Sequence, residues 1–164
     1  MTSRILVALR VPGSPERIFR IFTEEIDLWW RDDPLFRFTP RSPGQLVLEP
    51  PRNDMPGRFI EVFPDGEIFL IGEVTTWDVG KRLVFGWHQA SFSRGQATKV
   101  EITFEPVDNE TRVTVQHFGW DSVPQAHVAR HGMPDMLFNQ RHGQWWRTLL
   151  ASVRTQVERM TAFR

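Results

Sequence analysis

Imidazoles and carboxylates are the side chains with which chemistry would begin in this chain, because its 164 residues include no cysteine to serve as a thiolate nucleophile or sulfur ligand. His117 shares the parity of Val113 and Val115, opposite Arg112, Thr114 and Gln116, so it is aimed at the inner face of a strand. There it would orient the polar end of a ligand or exchange a proton. Proton transfer needs a geometric partner, and the favoured reading is a hydrogen-bonded core histidine. His88 has the outward parity of its own strand and is expected in solvent. His127, His131 and His142 with Asp135 superficially resemble a metal cluster. Their spacings match no zinc motif and proline breaks the segment, so no metal is expected.

The carboxylates are equally modest. Asp32 and Asp33 stand beside Pro34 and read as a helix terminator facing water rather than a catalytic pair. Glu61, Glu73 and Glu101 fall on strands. Glu61 shares the parity of Phe59, yet each is most simply an outer polar position of an alternating strand. No nucleophile elbow, phosphate-cradling glycine loop or dinucleotide fingerprint is present, which argues against a conventional hydrolase, kinase or dehydrogenase. No catalytic residue and no cofactor are expected.

What remains is aromatic surface. Tyrosine is absent, whereas tryptophan occurs 7 times and phenylalanine 13 times. Any single tryptophan is best read as core, because the type is heavily buried on average. The set of Trp29, Trp30, Trp77, Trp87, Trp120, Trp145 and Trp146 points instead to a lined pocket, since every buried indole N–H needs a partner. The residues expected to bind a flat, apolar ligand are Trp29, Trp30, Phe59, Trp77, Phe85, Trp87, Phe104, His117, Trp146 and Leu150.

These residues must be positioned by a helix and a sheet. From Asn139 to Met160, apolar residues at Trp146, Leu149, Leu150, Val153, Val157 and Met160 recur at the three-and-four spacing of a helical stripe. Arg147, Arg154, Gln156 and Arg159 are assigned to the opposite side. Earlier, Arg4 to Val11 alternates as a first strand, and Ser14, Pro15 and Glu16 form a helix start. A second short helix is predicted from Glu24 to Trp30. Strands follow at Gln45 to Glu49, Gly57 to Phe63 and Ile68 to Asp78, with a turn at Pro64 to Glu67 and a bulge expected near Thr75-Thr76. Leu83, Phe85 and Trp87 give the next strand an aromatic face, and a hairpin joins Val100–Phe104 to Val113–His117. Asp121 to Phe138 reads as a connection. Strands in a run followed by one long helix predict an α+β fold, with the helix packed across a bent antiparallel sheet.

A chain of this length is expected to form one domain, 1–164. Its 20 Lys and Arg balance 20 Asp and Glu without long blocks of either sign, which disfavours nucleic acid and anionic membranes as partners. The N-terminal apolar run is short and broken by Arg10, so it reads as neither a signal peptide nor a membrane span, and a cytoplasmic location is the expectation.

The helix SPERIFRIFT followed by IDLWW, the FPDGE turn, GEVTTWDVGKRLVFGW, the hairpin VEITFEPVDNETRVTVQHFGW and the closing GQWWRTLL together resemble the START-like SRPBCC superfamily. Within it, the chain is most similar to the activator of heat-shock-protein-90 ATPase homologues. The resemblance implies a helix-grip (START/Bet v-like) fold: a curved antiparallel sheet around a long C-terminal helix, with two short helices after the first strand. It implies a cavity for a hydrophobic small molecule without intrinsic catalysis. The alternatives are docking on a chaperone to modulate its ATPase, self-association as a homodimer, or a polyketide cyclase or aromatase role. The long segments Arg37 to Pro56 and Asp121 to Phe138 depart from the family pattern and are expected to border the cavity mouth.

Overall fold

The structure is a computed structural model that describes residues 4–124 and 126–162; the ends of the expected 1–164 domain and Gln125 lie outside the described residues. Strand β1 (Arg4–Pro12) leads into helices α1 (Pro15–Glu24) and α2 (Ile26–Trp29). Strands β2 (Gln45–Glu49), β3 (Gly57–Val62), β4 (Ile68–Asp78), β5 (Arg82–Trp87), β6 (Thr98–Val107) and β7 (Glu110–Phe118) follow, and α3 (Asp135–Ala162) closes the chain. All seven strands form one antiparallel sheet in the order β1-β7-β6-β5-β4-β3-β2. This is the α+β architecture that the run of strands and final helix predicted, and the helix-grip fold that the family resemblance implied.

Local chemistry accounts for most boundaries. Ser14 Oγ accepts the Arg17 N–H at 3.3 Å and Pro15 opens α1, so the start is capped as its sequence suggests. Ile18, Phe19, Ile21 and Phe22 then face the core. The sheet bends at β4, where the register shifts between Phe59 and Ile60 on one side and between Val74 and Thr76 on the other. The expected bulge is therefore present. Between the two shifts Gly72 lies so close to β5 that a Cβ there would sit 2.0 Å from the Gly86 carbonyl oxygen. Only a residue without a side chain lets the strands close to that distance.

Helix α3 starts at Asp135, four residues before the expected Asn139, because Pro134 ends the connection and the Phe138 N–H bonds the Pro134 carbonyl at 2.9 Å. Its buried side is correspondingly longer: Phe138, His142, Trp145, Trp146, Leu149, Leu150, Val153 and Val157. Gln156, assigned by periodicity to the outer side, is buried. It donates from Nε2 to Glu25 Oε1 at 3.0 Å, so a polar contact with the end of α1 widens the inward face. The connection before α3 holds two short 3-10 turns, Trp120–Ser122 and Val128–Arg130. The buried Arg130 guanidinium ties that connection together by donating to the Val123 and Met133 carbonyls and to Asp135.

Candidate functional site

Strand alternation directs His117 of β7 toward α3, and a four-part hydrogen-bond chain holds it there. Trp146 on α3 donates its indole N–H to His117 Nδ1 at 3.2 Å. That leaves the imidazole proton on Nε2, which lies 2.9 Å from Thr98 Oγ1 on β6; the threonine in turn donates to the Trp87 carbonyl at 2.9 Å. Both ring nitrogens are occupied and the tautomer is fixed. Burial, and then the neighbouring His142, hold the His117 pKa well below the usual imidazole range, so the ring is neutral.

His142 stands opposite, with ring centroids 4.9 Å from those of His117. It is stacked on Phe36 at 4.4 Å and 8°, and more loosely on Trp145 at 5.5 Å and 23°. It is fully buried, and among the described residues neither ring nitrogen has a hydrogen-bond partner. Burial lowers its pKa to about 3. The indole nitrogens of Trp87 and Trp120, whose rings lie 6.0 and 5.2 Å from His142, are also unpartnered.

Phe36 and Trp145, which both stack with the His142 imidazole, also line a partly enclosed hollow of about 230 Å³. Trp30, Phe38 and Leu46 complete its apolar wall, and Asp27, Asp32, Asp33 and Glu61 contribute carboxylates. Most of these acids already have donors. Asp27 accepts from the Leu46 N–H at 2.9 Å, Asp33 from the Leu35 N–H at 2.9 Å, and Asp32 pairs with Arg37. Glu61 corrects the sequence reading: it is buried, not an outer position. It keeps the inward parity of Phe59, and Ser42 Oγ and the Gly44 N–H, at 2.6 and 2.8 Å, solvate its carboxylate. Both donors come from the loop after Phe36, which strand alternation cannot reveal. A larger hollow, about 1100 Å³, lies on the outer face of the sheet among Arg4, Glu73, Thr75 and Lys99, away from the helix-gripped space.

Of the ten residues expected to bind a ligand, Trp30 lines the smaller hollow. Trp30 also contacts Trp87 at 6.0 Å and Trp146 at 6.1 Å, and Phe59 and Phe85 pack together beneath it at 5.0 Å. Trp29 is buried and donates its indole N–H to the Phe22 carbonyl; Leu150 is buried in the core. Trp77 and Phe104 are elsewhere, packed on Phe19 of α1 at 5.4 and 5.1 Å. Phe36, Phe38 and His142 were not among those ten. Phe36 ends a three-residue 3-10 turn and Phe38 lies in irregular chain, neither with a readable period, and His142 falls on the helical stripe one turn before Trp146.

The other histidines separate. His127 Nδ1 accepts from the Ala129 N–H and its Nε2 meets the Ser91 carbonyl, while His131 bonds the Leu35 carbonyl. Asp135 pairs with Arg130. His88, expected in solvent, is half-buried because Phe69 stacks on it and Phe92 meets it edge-on.

The family model described as Activator of Hsp90 ATPase homolog 1-like protein matches residues 12–153. Among solved structures, protein MLL2253 from Mesorhizobium loti superposes with a TM-score of 0.64 at 16% identity, covering 95% of this chain and 97% of that one. Protein NE0264 from Nitrosomonas europaea gives 0.59 at 14% identity, covering 97% and 96%. Ms6760 from Mycobacterium smegmatis gives 0.55 at 18% identity, covering 99% and 94%. These likenesses concern the fold. No functionally curated protein matches the chain by sequence.

Proposed function

Because the chain belongs to the Activator of Hsp90 ATPase homolog 1-like family, we propose that it binds a small aromatic or apolar molecule between α2, α3 and the β2–β3 edge of the sheet. The observation that carries this reading is the partly enclosed hollow walled by Trp30, Phe36, Phe38 and Trp145. Its volume of about 230 Å³ falls just below the roughly 300–1,000 Å³ usual for ligand sites, which suits a compound of one or two rings. Affinity would come from burial, at about 25 cal/mol per Å² of apolar area removed from water, with ring stacking adding direction.

The geometry disfavours acid–base work by His117, whose two nitrogens are both engaged. Native mass spectrometry of the purified protein, compared with the same sample denatured, is expected to release a small molecule of defined mass. Trp30→Ala and Trp145→Ala should lose it while remaining folded. A protein that carries nothing, and whose melting temperature no member of an aromatic ligand library raises, would end this reading.

A further inference from the structure

The hollow beside α2 carries an imbalance of charge. Four carboxylates line it, those of Asp27, Asp32, Asp33 and Glu61, against one guanidinium, that of Arg37. Arg37 is bound to Asp32 at 2.6 Å and lies within the field of Asp33. Asp27 and Glu61 make no ion pair among the described residues. Their donors are neutral: the Leu46 N–H for Asp27, and Ser42 Oγ with the Gly44 N–H for Glu61. Glu61 is only 2% exposed. A carboxylate withdrawn that far from water is costly unless a positive charge lies near it, and neutral donors offset only part of that cost.

The rest of the wall decides which kind of cation fits. Trp30 and Trp145 meet edge to face, with ring planes at 85° and centroids 5.4 Å apart. Phe36 stacks on Trp145 at 4.9 Å, and Phe38 lies 6.0 Å from Trp30. Trp145 donates its indole N–H to the Arg31 carbonyl at 3.1 Å, which anchors its ring. Aromatic faces carry negative potential and attract positive groups, tryptophan most strongly. His142, stacked on Phe36 and Trp145, adds no opposing charge, because burial lowers its pKa to about 3. A metal ion suits this wall poorly: hard cations need several oxygens converging on one point, and among the described residues no three acidic or histidine side chains are placed to hold one. An organic ammonium ion needs no such convergence. Its charge is spread over the attached carbons, which pack on rings while carboxylates balance the charge from either side. Asp27 is exposed and Glu61 buried, so negative charge stands at both the open and the closed side.

We infer that the hollow takes an organic ammonium ion, held among the rings of Trp30, Phe36, Phe38 and Trp145 with its charge balanced by Asp27 and Glu61. This rests on the small-molecule reading above and names the chemical class: an apolar or aromatic body bearing a cationic nitrogen. The same carboxylates disfavour anionic compounds of equal size.

Calorimetric titration with 3-hydroxyphenyltrimethylammonium and with 3-tert-butylphenol, its uncharged isostere in which carbon replaces nitrogen, tests the inference. Wild-type protein should bind the cation about tenfold more tightly, the scale of a cation–π contact withdrawn from water. Asp27→Asn, whose amide oxygen can still accept from the Leu46 N–H, and Glu61→Gln should each cut that preference roughly threefold or more, the scale of a partly exposed ion pair, while leaving the affinity for 3-tert-butylphenol unchanged. Melting curves check that the variants fold; where Glu61→Gln does not, Asp27→Asn at the exposed side carries the test. Trp30→Leu, which keeps an apolar wall without a ring face, should narrow the preference as well. Equal wild-type affinities, or tighter binding of 3-tert-butylphenol, overturn the inference and leave the small-molecule reading standing. A preference for the cation that survives both Asp27→Asn and Glu61→Gln overturns it too, because the charge is then balanced elsewhere. Binding of neither probe to wild type also overturns it, and the aromatic ligand library then decides the small-molecule reading separately.

Discussion

Replacing His142 by Phe should flatten the acid side of the stability profile. The folded-state pKa of His142 is lowered to about 3 from an ordinary 6.5 by burial. Below pH 6.5 the unfolded imidazole takes up a proton that the folded one refuses, so the unfolded state binds more protons. Stability contributed at this site is therefore complete above pH 6.5 and falls as the pH drops toward 3. The slope is ~1.4 kcal/mol per pH unit, which amounts to about 2.7 kcal/mol at pH 4.5. Phenylalanine keeps the stack on Phe36 and Trp145 but cannot titrate. Urea unfolding of both proteins at pH 7 and pH 4.5 measures the effect, and the drop between the two pH values should be about 2 to 3 kcal/mol smaller in the variant. The comparison cancels the carboxylates, which both proteins share; His117, the titratable group facing this ring, keeps the larger depression caused by burial and loses only the part due to His142, which shifts the difference in the same direction. The variant's stability at pH 7 is a poorer test, because deleting two unpartnered nitrogens stabilises while the larger ring crowds its neighbours. Equal losses in the two proteins would mean that His142 reaches water or a partner when folded, and would refute the argument.

Three further outcomes follow from the geometry. Gly72→Ala should be severely destabilising, because its Cβ would meet backbone 2.0 Å away, whereas Gly86→Ala, with nothing nearer than 3.5 Å, should fold; melting temperatures of the pair decide this. Ser42→Ala removes the hydroxyl that donates to buried Glu61 and should cost about 1.5–3 kcal/mol in urea unfolding. A cost below about 0.5 kcal/mol, the range of an ordinary surface change, would show that the carboxylate is not held as described. Trp146→Ala deletes a fully buried indole and the donor to His117, and should lose about 3–5 kcal/mol of stability by the same assay.

Much of this molecule was legible in its residues because its signals are local. Alternation in β5, β6 and β7 placed Trp87, Phe104 and His117 on the inner face, and Ser14-Pro15 fixed the start of α1. The stripe from Trp146 to Val157 gave the gripped helix. The bulge expected near Thr75-Thr76 stands where the sequence placed it, at the register shift between Val74 and Thr76. The same reasoning misjudged Glu61 and Gln156, whose burial depends on partners far away in the chain, Ser42 and Glu25.

The sequence by itself determined the α+β order of strands and gripped helix and the inward aromatic set, since periodicity and capping act within a few residues. Only the tertiary structure decided which aromatics surround the hollow and which merely fill the core. It brought Phe36 and Phe38 from a loop without periodicity against Trp30 and Trp145, and it sent Trp77 and Phe104 to Phe19 instead. It also left His142 buried without a hydrogen-bond partner among the described residues while giving His117 two. The reason is physical: whether a buried nitrogen has a partner depends on groups brought close by the packing of distant elements, and one chain's local pattern carries no record of that approach.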